Sequence, residues 1–209
     1  MALDIGRDVQ RSYLDRFGLL SRPGLEIPEV GTPIGPGRGE ASTMTTAFGY
    51  GLSVSAVQFA TAFAAIVNGG VLIPPTLLKK KVGERTVGVQ VIQEQTSNQM
   101  RRLLRAVVEK GTGRRARAPG YLVGGKTGTA EKAGKGGYQR EKLISSFVAA
   151  FPMTEPKYVV YLFLDEPRGN AETHGYATAG WTAAPSVGRV VGRIAPILGV
   201  QPVDDQAAP

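Results

Sequence analysis

Apolar and polar positions recur along this chain with two periods, and each run predicts an element. Residues 1–18 place Ile5, Val9, Tyr13 and Phe17 four apart, the spacing of one helix face, and Gly18 is positioned to end that helix. The period is lost over 21–40, SRPGLEIPEVGTPIGPGRGE, where Pro and Gly predict a surface loop. Residues 53–70, SVSAVQFATAFAAIVNGG, give the strongest helix signal. Ser55 with Gln58 three residues on forms a capping box, and apolar side chains surround the helix from Ala60 to Val67, so burial is expected. Gly69-Gly70 ends it, and Pro74-Pro75 prevents its resumption. Residues 84–92 alternate weakly and predict a strand pair at a rim. A second helix over 97–110 carries Met100, Leu103, Leu104, Val107 and Val108 as its stripe, with Arg101, Arg102 and Arg105 off it and Gly111 as C-cap. A third, over 183–195, carries Val187, Val190, Val191 and Ile194; Pro185 falls in its first turn and Pro196 at its end.

Between the helices lie three predicted strands, Leu122–Thr129, Leu143–Phe151 and Tyr158–Leu164. The second and third are joined by the short segment PMTEP, which requires antiparallel pairing because a parallel crossover needs a dozen or more residues. The expected class is α/β of the α+β kind: an antiparallel sheet flanked by helices.

Composition narrows the chemistry. The 209 residues suit one domain, and the 42% hydrophobic content is enough to build a core. The tail, 199–209, is expected to be flexible. The sequence has no Cys, which removes disulfides, thiolate zinc sites and a Cys nucleophile. Its single His, His174, leaves no basis for a His dyad or metal cluster, so neither metal nor cofactor is expected. The net charge of +8 favours anionic partners. The densest basic group, Arg101, Arg102, Arg105, Lys110, Arg114, Arg115 and Arg117, has no interleaved aromatics and reads as a solvated helix face and loop, not a nucleic-acid surface. No run approaches the ~20 apolar residues of a membrane span, and MALDIGRDVQRSYLDRF has no apolar signal core.

The stretch GYLVGGKTGTAEK, residues 120–132, fits two motifs. From Gly120 to Thr127 it matches the phosphate loop G-x-x-x-x-G-K-[ST]. That loop needs a strand before it and a helix opening at the Lys-Thr, where free N–H groups hold phosphate. Here RRARAP precedes and Gly-rich GTAEKAGKGG follows. VVYLFLDE, ending at Asp165-Glu166, imitates a magnesium-site strand, but the short links imply an antiparallel meander instead. The nucleotide reading is therefore rejected. Lys126-Thr127-Gly128 is also the K-T-G of penicillin-recognising serine enzymes.

Four blocks carry a wider resemblance: FGYGLSVSAVQFATAFAAIVNGG (48–70), EKGTGRRARAPGYLVGGKTGTAEK (109–132), SFVAAFP (146–152) and AAPSVGRVVGRI (183–194). In order and spacing they resemble class B penicillin-binding proteins, the D,D-transpeptidases that cross-link peptidoglycan, with F-G-Y-G most similar to the septal, division-specific branch. The resemblance implies the penicillin-binding transpeptidase and serine β-lactamase-like fold, whose K-T-G strand borders the cleft. It implies that Lys126 raises local positive potential and aids the proton shuttle, and that Thr127 binds the acyl donor's carboxylate. Gly128 would let substrate backbone lie against the strand. Thr129 would supply an oxyanion-hole N–H and a second hydroxyl for the carboxylate. The implied partners are the peptidoglycan stem peptide, β-lactam antibiotics and, through the parent protein, division proteins. The parent would lie at the inner membrane facing the periplasm, held by an anchor absent from this chain. Residues 130–142 would form a mobile loop, with Lys132, Lys135, Arg140 and Lys142 available to an anionic substrate.

Two family motifs are missing. No Ser lies three residues before a Lys, and none lies two residues before Asn68, Asn98 or Asn170, so S-x-x-K and S-x-N are both absent. The chain, 1–209, therefore reads as the C-terminal part of one transpeptidase domain, without a nucleophile and inactive alone. A non-catalytic binding module of the division machinery is the alternative. The family sheet has five strands, and without the other two Tyr158–Leu164 would become an edge.

Overall fold

The computed structural model describes residues 1–81, 83, 84, 86–134 and 137–203. Lys135 and tail residues 204–209 lie outside the described residues, as does the side chain of Arg140. In chain order the elements are α1 (Ala2–Ile5), α2 (Arg7–Arg16), α3 (Glu40–Thr46), α4 (Ala56–Val67), β1 (Val71–Leu72), β2 (Val89–Gln90), α5 (Glu94–Glu109), a 3-10 turn (Arg114–Ala116), β3 (Gly124–Gly134), β4 (Gly137–Phe151), β5 (Tyr158–Asp165) and α6 (Ala183–Ile197). They form two compact units, Met1–Ser97 and Asn98–Pro209, with the boundary inside α5. The fold is mixed, with antiparallel sheets and helices, as the pattern predicts.

In the first unit the helix expected over 1–18 is broken in two. Gly6 adopts φ 82, outside the helical region, and separates α1 from α2. The predicted stripe is not covered: Ile5, Val9 and Tyr13 are exposed. The α4 cap forms as predicted, with the Gln58 N–H donating to Ser55 Oγ at 3.2 Å and the Ser55 N–H donating to Gln58 Oε1 at 3.1 Å. Gln58 is itself buried, and its amide donates to the carbonyls of Gly18 (3.1 Å) and Ser21 (2.8 Å), so one residue both caps the helix and ties down the chain after α2. From Ala60 to Val67 every α4 residue is buried or half-buried, as expected, with Ala62, Phe63, Ala65 and Val67 fully covered. At its far end Ser97 Oγ donates to the Ile66 carbonyl (2.7 Å) and accepts from the Gly69 N–H (3.0 Å). The rim strands are short: among the described residues of the 84–92 segment, Val89–Gln90 form a strand, paired to Val71–Leu72.

In the second unit the sheet order is β3-β4-β5, antiparallel throughout. Phe147, Ala149 and Phe151 on one face of β4 pack into a core with Val108, Val123 and the α6 residues Ala183, Val187 and Val191. The α5 stripe differs from the prediction. Leu104 and Val108 are buried, but Leu103 is 60% exposed. Arg105 takes a covered position instead, donating to the Val123 carbonyl (3.1 Å) and pairing with Glu109 (3.0 Å). Its aliphatic stem can line an apolar face while the head finds local acceptors. Arg117 stays exposed, as expected, but its guanidinium donates to the carbonyls of Val108 and Glu109, capping the end of α5.

The described residues of the segment 130–142 are strand, not loop. β3 and β4 stay paired through Glu131↔Leu143, then Lys132↔Gln139 and Gly134↔Gly137, with a register shift between Glu131 and Lys132. The glycines there read as breakers in sequence, yet a long antiparallel partner satisfies their backbone groups and the hairpin continues.

Candidate functional site

Lys126, Thr127, Gly128 and Thr129 are consecutive on β3, which among the described residues pairs only with β4, in the three-stranded sheet. Strand alternation puts Lys126 and Gly128 on one face and Thr127 and Thr129 on the other. The Lys-Thr pair lies within a strand that runs on to Gly134, so the helix required by the phosphate-loop reading is not there.

Three glycines allow β3 to sit this close to its neighbours. A Cβ at Gly124 would meet the Met153 side chain at 2.7 Å, and one at Gly125 would lie 2.3 Å from the Val148 carbonyl oxygen. One at Gly128 would lie 2.7 Å from Ser146 Oγ. Ser146 faces Gly128 across the strand pair and donates to its carbonyl at 3.3 Å. The same serine hydrogen-bonds Tyr161, whose phenol pKa is pushed up by burial.

Each polar side chain of the set is engaged. Lys126 Nζ is exposed and donates to the Thr127 carbonyl at 2.8 Å. Thr127 Oγ1 lies 2.8 Å from Thr112 Oγ1. Thr129 Oγ1 accepts from the Ala179 N–H at 3.1 Å. Opposite Thr129, the buried Ser145 donates to the Ala177 carbonyl at 2.5 Å, so the segment 177–179 is fastened to both strands. Lys126 and Thr129 are exposed and Thr127 is half-buried, which leaves the strand open to a ligand.

The residue set therefore offers an ammonium, two hydroxyls and edge-strand backbone on one short strand. The Penicillin binding protein transpeptidase domain, as a family, matches residues 1–186 of the chain. The chain belongs to that family. It is 40% identical over 211 residues to the probable peptidoglycan D,D-transpeptidase FtsI of Caulobacter vibrioides, covering 96% of this chain and 36% of that protein. To the Stage V sporulation protein D of Bacillus subtilis it is 38% identical over 219 residues, covering 97% and 32%. The chain thus spans about a third of the length of these relatives. Among solved structures, the transpeptidase domain of Burkholderia pseudomallei penicillin-binding protein 3 superposes with TM-score 0.84 at 32% identity, covering 97% of this chain and 60% of that one. Penicillin-binding protein 3 of Mycobacterium tuberculosis, complexed with ampicillin, superposes with TM-score 0.84 at 29% identity, covering 98% and 49%.

One of the charges expected to meet substrate, Lys132, has an internal role. Lys132 pairs with Asp165 Oδ1 and Glu166 Oε1, each at 2.9 Å, and these hydrogen bonds, Asp165 first, raise its ammonium pKa. Asp165 and Glu166, which imitate a magnesium site in sequence, are thereby explained as partners of a lysine. No group of three or more potential metal ligands occurs among the described residues. No helix among them is long and apolar enough to cross a membrane.

Sequence reasoning missed three neighbours of the site. Thr112 lies in the 109–132 block, but nothing in the sequence pairs it with Thr127, and Ala179 reaches β3 from outside the four blocks. The third is a ring cluster: the Arg115 guanidinium lies 3.4 Å from the Trp181 ring centroid, Tyr176 stacks on Trp181 at 5.3 Å, and His174 meets it edge-on at 5.1 Å. The only sequence cue was aromatic density in HGYATAGW, which has no period to place it.

Proposed function

We propose that this chain forms the K-T-G wall of a serine-type peptidoglycan D,D-transpeptidase whose nucleophile lies outside these 209 residues. The observation that carries the reading is the Lys126–Thr129 strand itself, at the edge of the sheet, in a chain of the penicillin-binding transpeptidase family.

Lys126 supplies positive potential and assists proton transfer to and from the attacking serine, a contribution of typically ~10²–10⁴ in rate. Thr127 and Thr129 donate hydroxyl protons to the terminal carboxylate of the acyl donor, or to that of a β-lactam. Gly128 admits the donor's backbone to the strand. The Thr129 backbone N–H is one donor to the oxyanion, the kind of group whose loss typically costs ~10²–10³. The substrate is the stem peptide of peptidoglycan, the setting is the periplasmic face of the inner membrane, and the partners are division proteins. Names of two relatives support this reading: one is called a peptidoglycan D,D-transpeptidase and the other a sporulation protein.

The sequence contains neither S-x-x-K nor S-x-N, so the 209 residues should be unreactive alone. The test is incubation of the chain, and of the full-length protein, with a fluorescent penicillin. We expect a stoichiometric adduct on the full-length protein and none on the chain. A hydroxylamine-sensitive adduct on any serine of the chain itself would overturn the assignment of the nucleophile to other residues.

A further inference from the structure

We propose that Thr112 is a positioning residue, donating its hydroxyl proton to Thr127 Oγ1 and so reserving the Thr127 proton for a carboxylate-bearing ligand. The inference rests on the reading above, in which Thr127 and Thr129 bind that carboxylate.

The two oxygens are 2.8 Å apart and either can be the donor. A hydroxyl has one proton and two lone pairs, whereas a carboxylate only accepts. If Thr127 gives its proton to Thr112, it presents only lone pairs to the ligand, and these repel the anion. If Thr112 donates, the Thr127 proton is free and its oxygen is polarised into a better donor. A carboxylate therefore selects the second arrangement. Thr129 shows the same arrangement in a fixed form. Its Oγ1 accepts from the Ala179 N–H, which can only donate, so the Thr129 proton is directed to another acceptor. Thr127 and Thr129 share a strand face at a spacing of roughly 7 Å, so two scaffold donors prepare two neighbouring hydroxyls.

The backbone around Thr112 leaves it little freedom. The N–H groups of Gly111 and Gly113 both donate to the Val107 carbonyl at 3.1 Å. A Cβ at Gly113 would lie 3.0 Å from the Phe147 ring, and one at Gly180 would lie 2.9 Å from the Thr112 carbonyl oxygen. These contacts fix the Thr112 backbone beside β3, while its side chain is exposed apart from the 2.8 Å contact with Thr127 Oγ1.

The test compares acylation of the full-length protein by ampicillin and by ampicillin methyl ester. Wild type, Thr112→Val, Thr112→Ser and Thr127→Val are measured, with melting temperature as the control for folding. Thr112→Val should slow acylation by the free acid about five- to tenfold, mainly through weaker binding, and change the ester reaction less than about twofold. Thr112→Ser, which restores a hydroxyl, should react like wild type. Equal losses with acid and ester would mean a structural role and overturn the proposal, as would a wild-type rate in Thr112→Val. If Thr127→Val is impaired and Thr112→Val is not, this inference alone fails. If Thr127→Val is unimpaired, the carboxylate reading beneath it fails too.

Discussion

Gly128 has two physical reasons to lack a side chain, and they lead to different experiments. One is the proposed approach of substrate backbone. The other is internal, because a Cβ there would sit 2.7 Å from Ser146 Oγ. Overpacking of this kind typically costs ~1–3 kcal/mol. Gly128→Ala should therefore destabilise the protein by about that amount, and adding Ser146→Ala should recover most of it. In the full-length protein, acylation by a β-lactam should stay low in the double variant, because the methyl still lies where the ligand backbone must pass. Thermal unfolding and acylation kinetics on the three variants separate the two causes. Acylation that recovers together with stability would leave Gly128 as a packing residue only.

At the scale of elements, the sequence was legible wherever local pattern and tertiary demand agreed. The α4 cap was readable because Ser55 and Gln58 satisfy each other within one turn. The three strands were readable because their apolar runs are bounded by turn residues. The misreadings have local causes. The periodicity over 1–18 does not register that Gly6 can leave helical space. A binary pattern counts every leucine as core and every arginine as solvent, yet Leu103 faces out while Arg105 is held by a carbonyl and a carboxylate. The hairpin beyond Thr129 was hidden by glycines whose pairing depends on the distant strand β4.

The strand β5 carries a prediction of its own. Among the described residues it pairs only with β4, and its exposed face includes Phe163, 52% exposed. From Tyr158 to Leu164 this edge has no charge and no proline, and such an apolar edge is a template for another chain. We expect the 209-residue chain to self-associate with rising concentration in sedimentation velocity, and Phe163→Lys to shift it toward monomer. A strictly monomeric wild-type chain, with slowly exchanging β5 amides, would show that the edge is protected without a partner.

At the scale of the whole molecule, the proposed site was legible only in part, for a reason of geometry. Lys126 to Thr129 are adjacent in sequence, so their motif can be read from a single line. Their supports arrive from 15 residues away at Thr112 and 50 residues away at Ala179, and only folding brings these to the strand. The absent motifs define the other limit, since the chain spans about a third of its named relatives. In the proposed function the strand from Lys126 to Thr129 lines the reacting site of a penicillin-recognising transpeptidase. The most direct measurement is the second-order rate of acylation of the full-length protein by a labelled penicillin, for wild type and for Lys126→Ala, with circular dichroism confirming that both fold. Lys126→Ala should lose at least ~10²-fold with the fold unchanged. A folded Lys126→Ala protein acylated at the wild-type rate would contradict it.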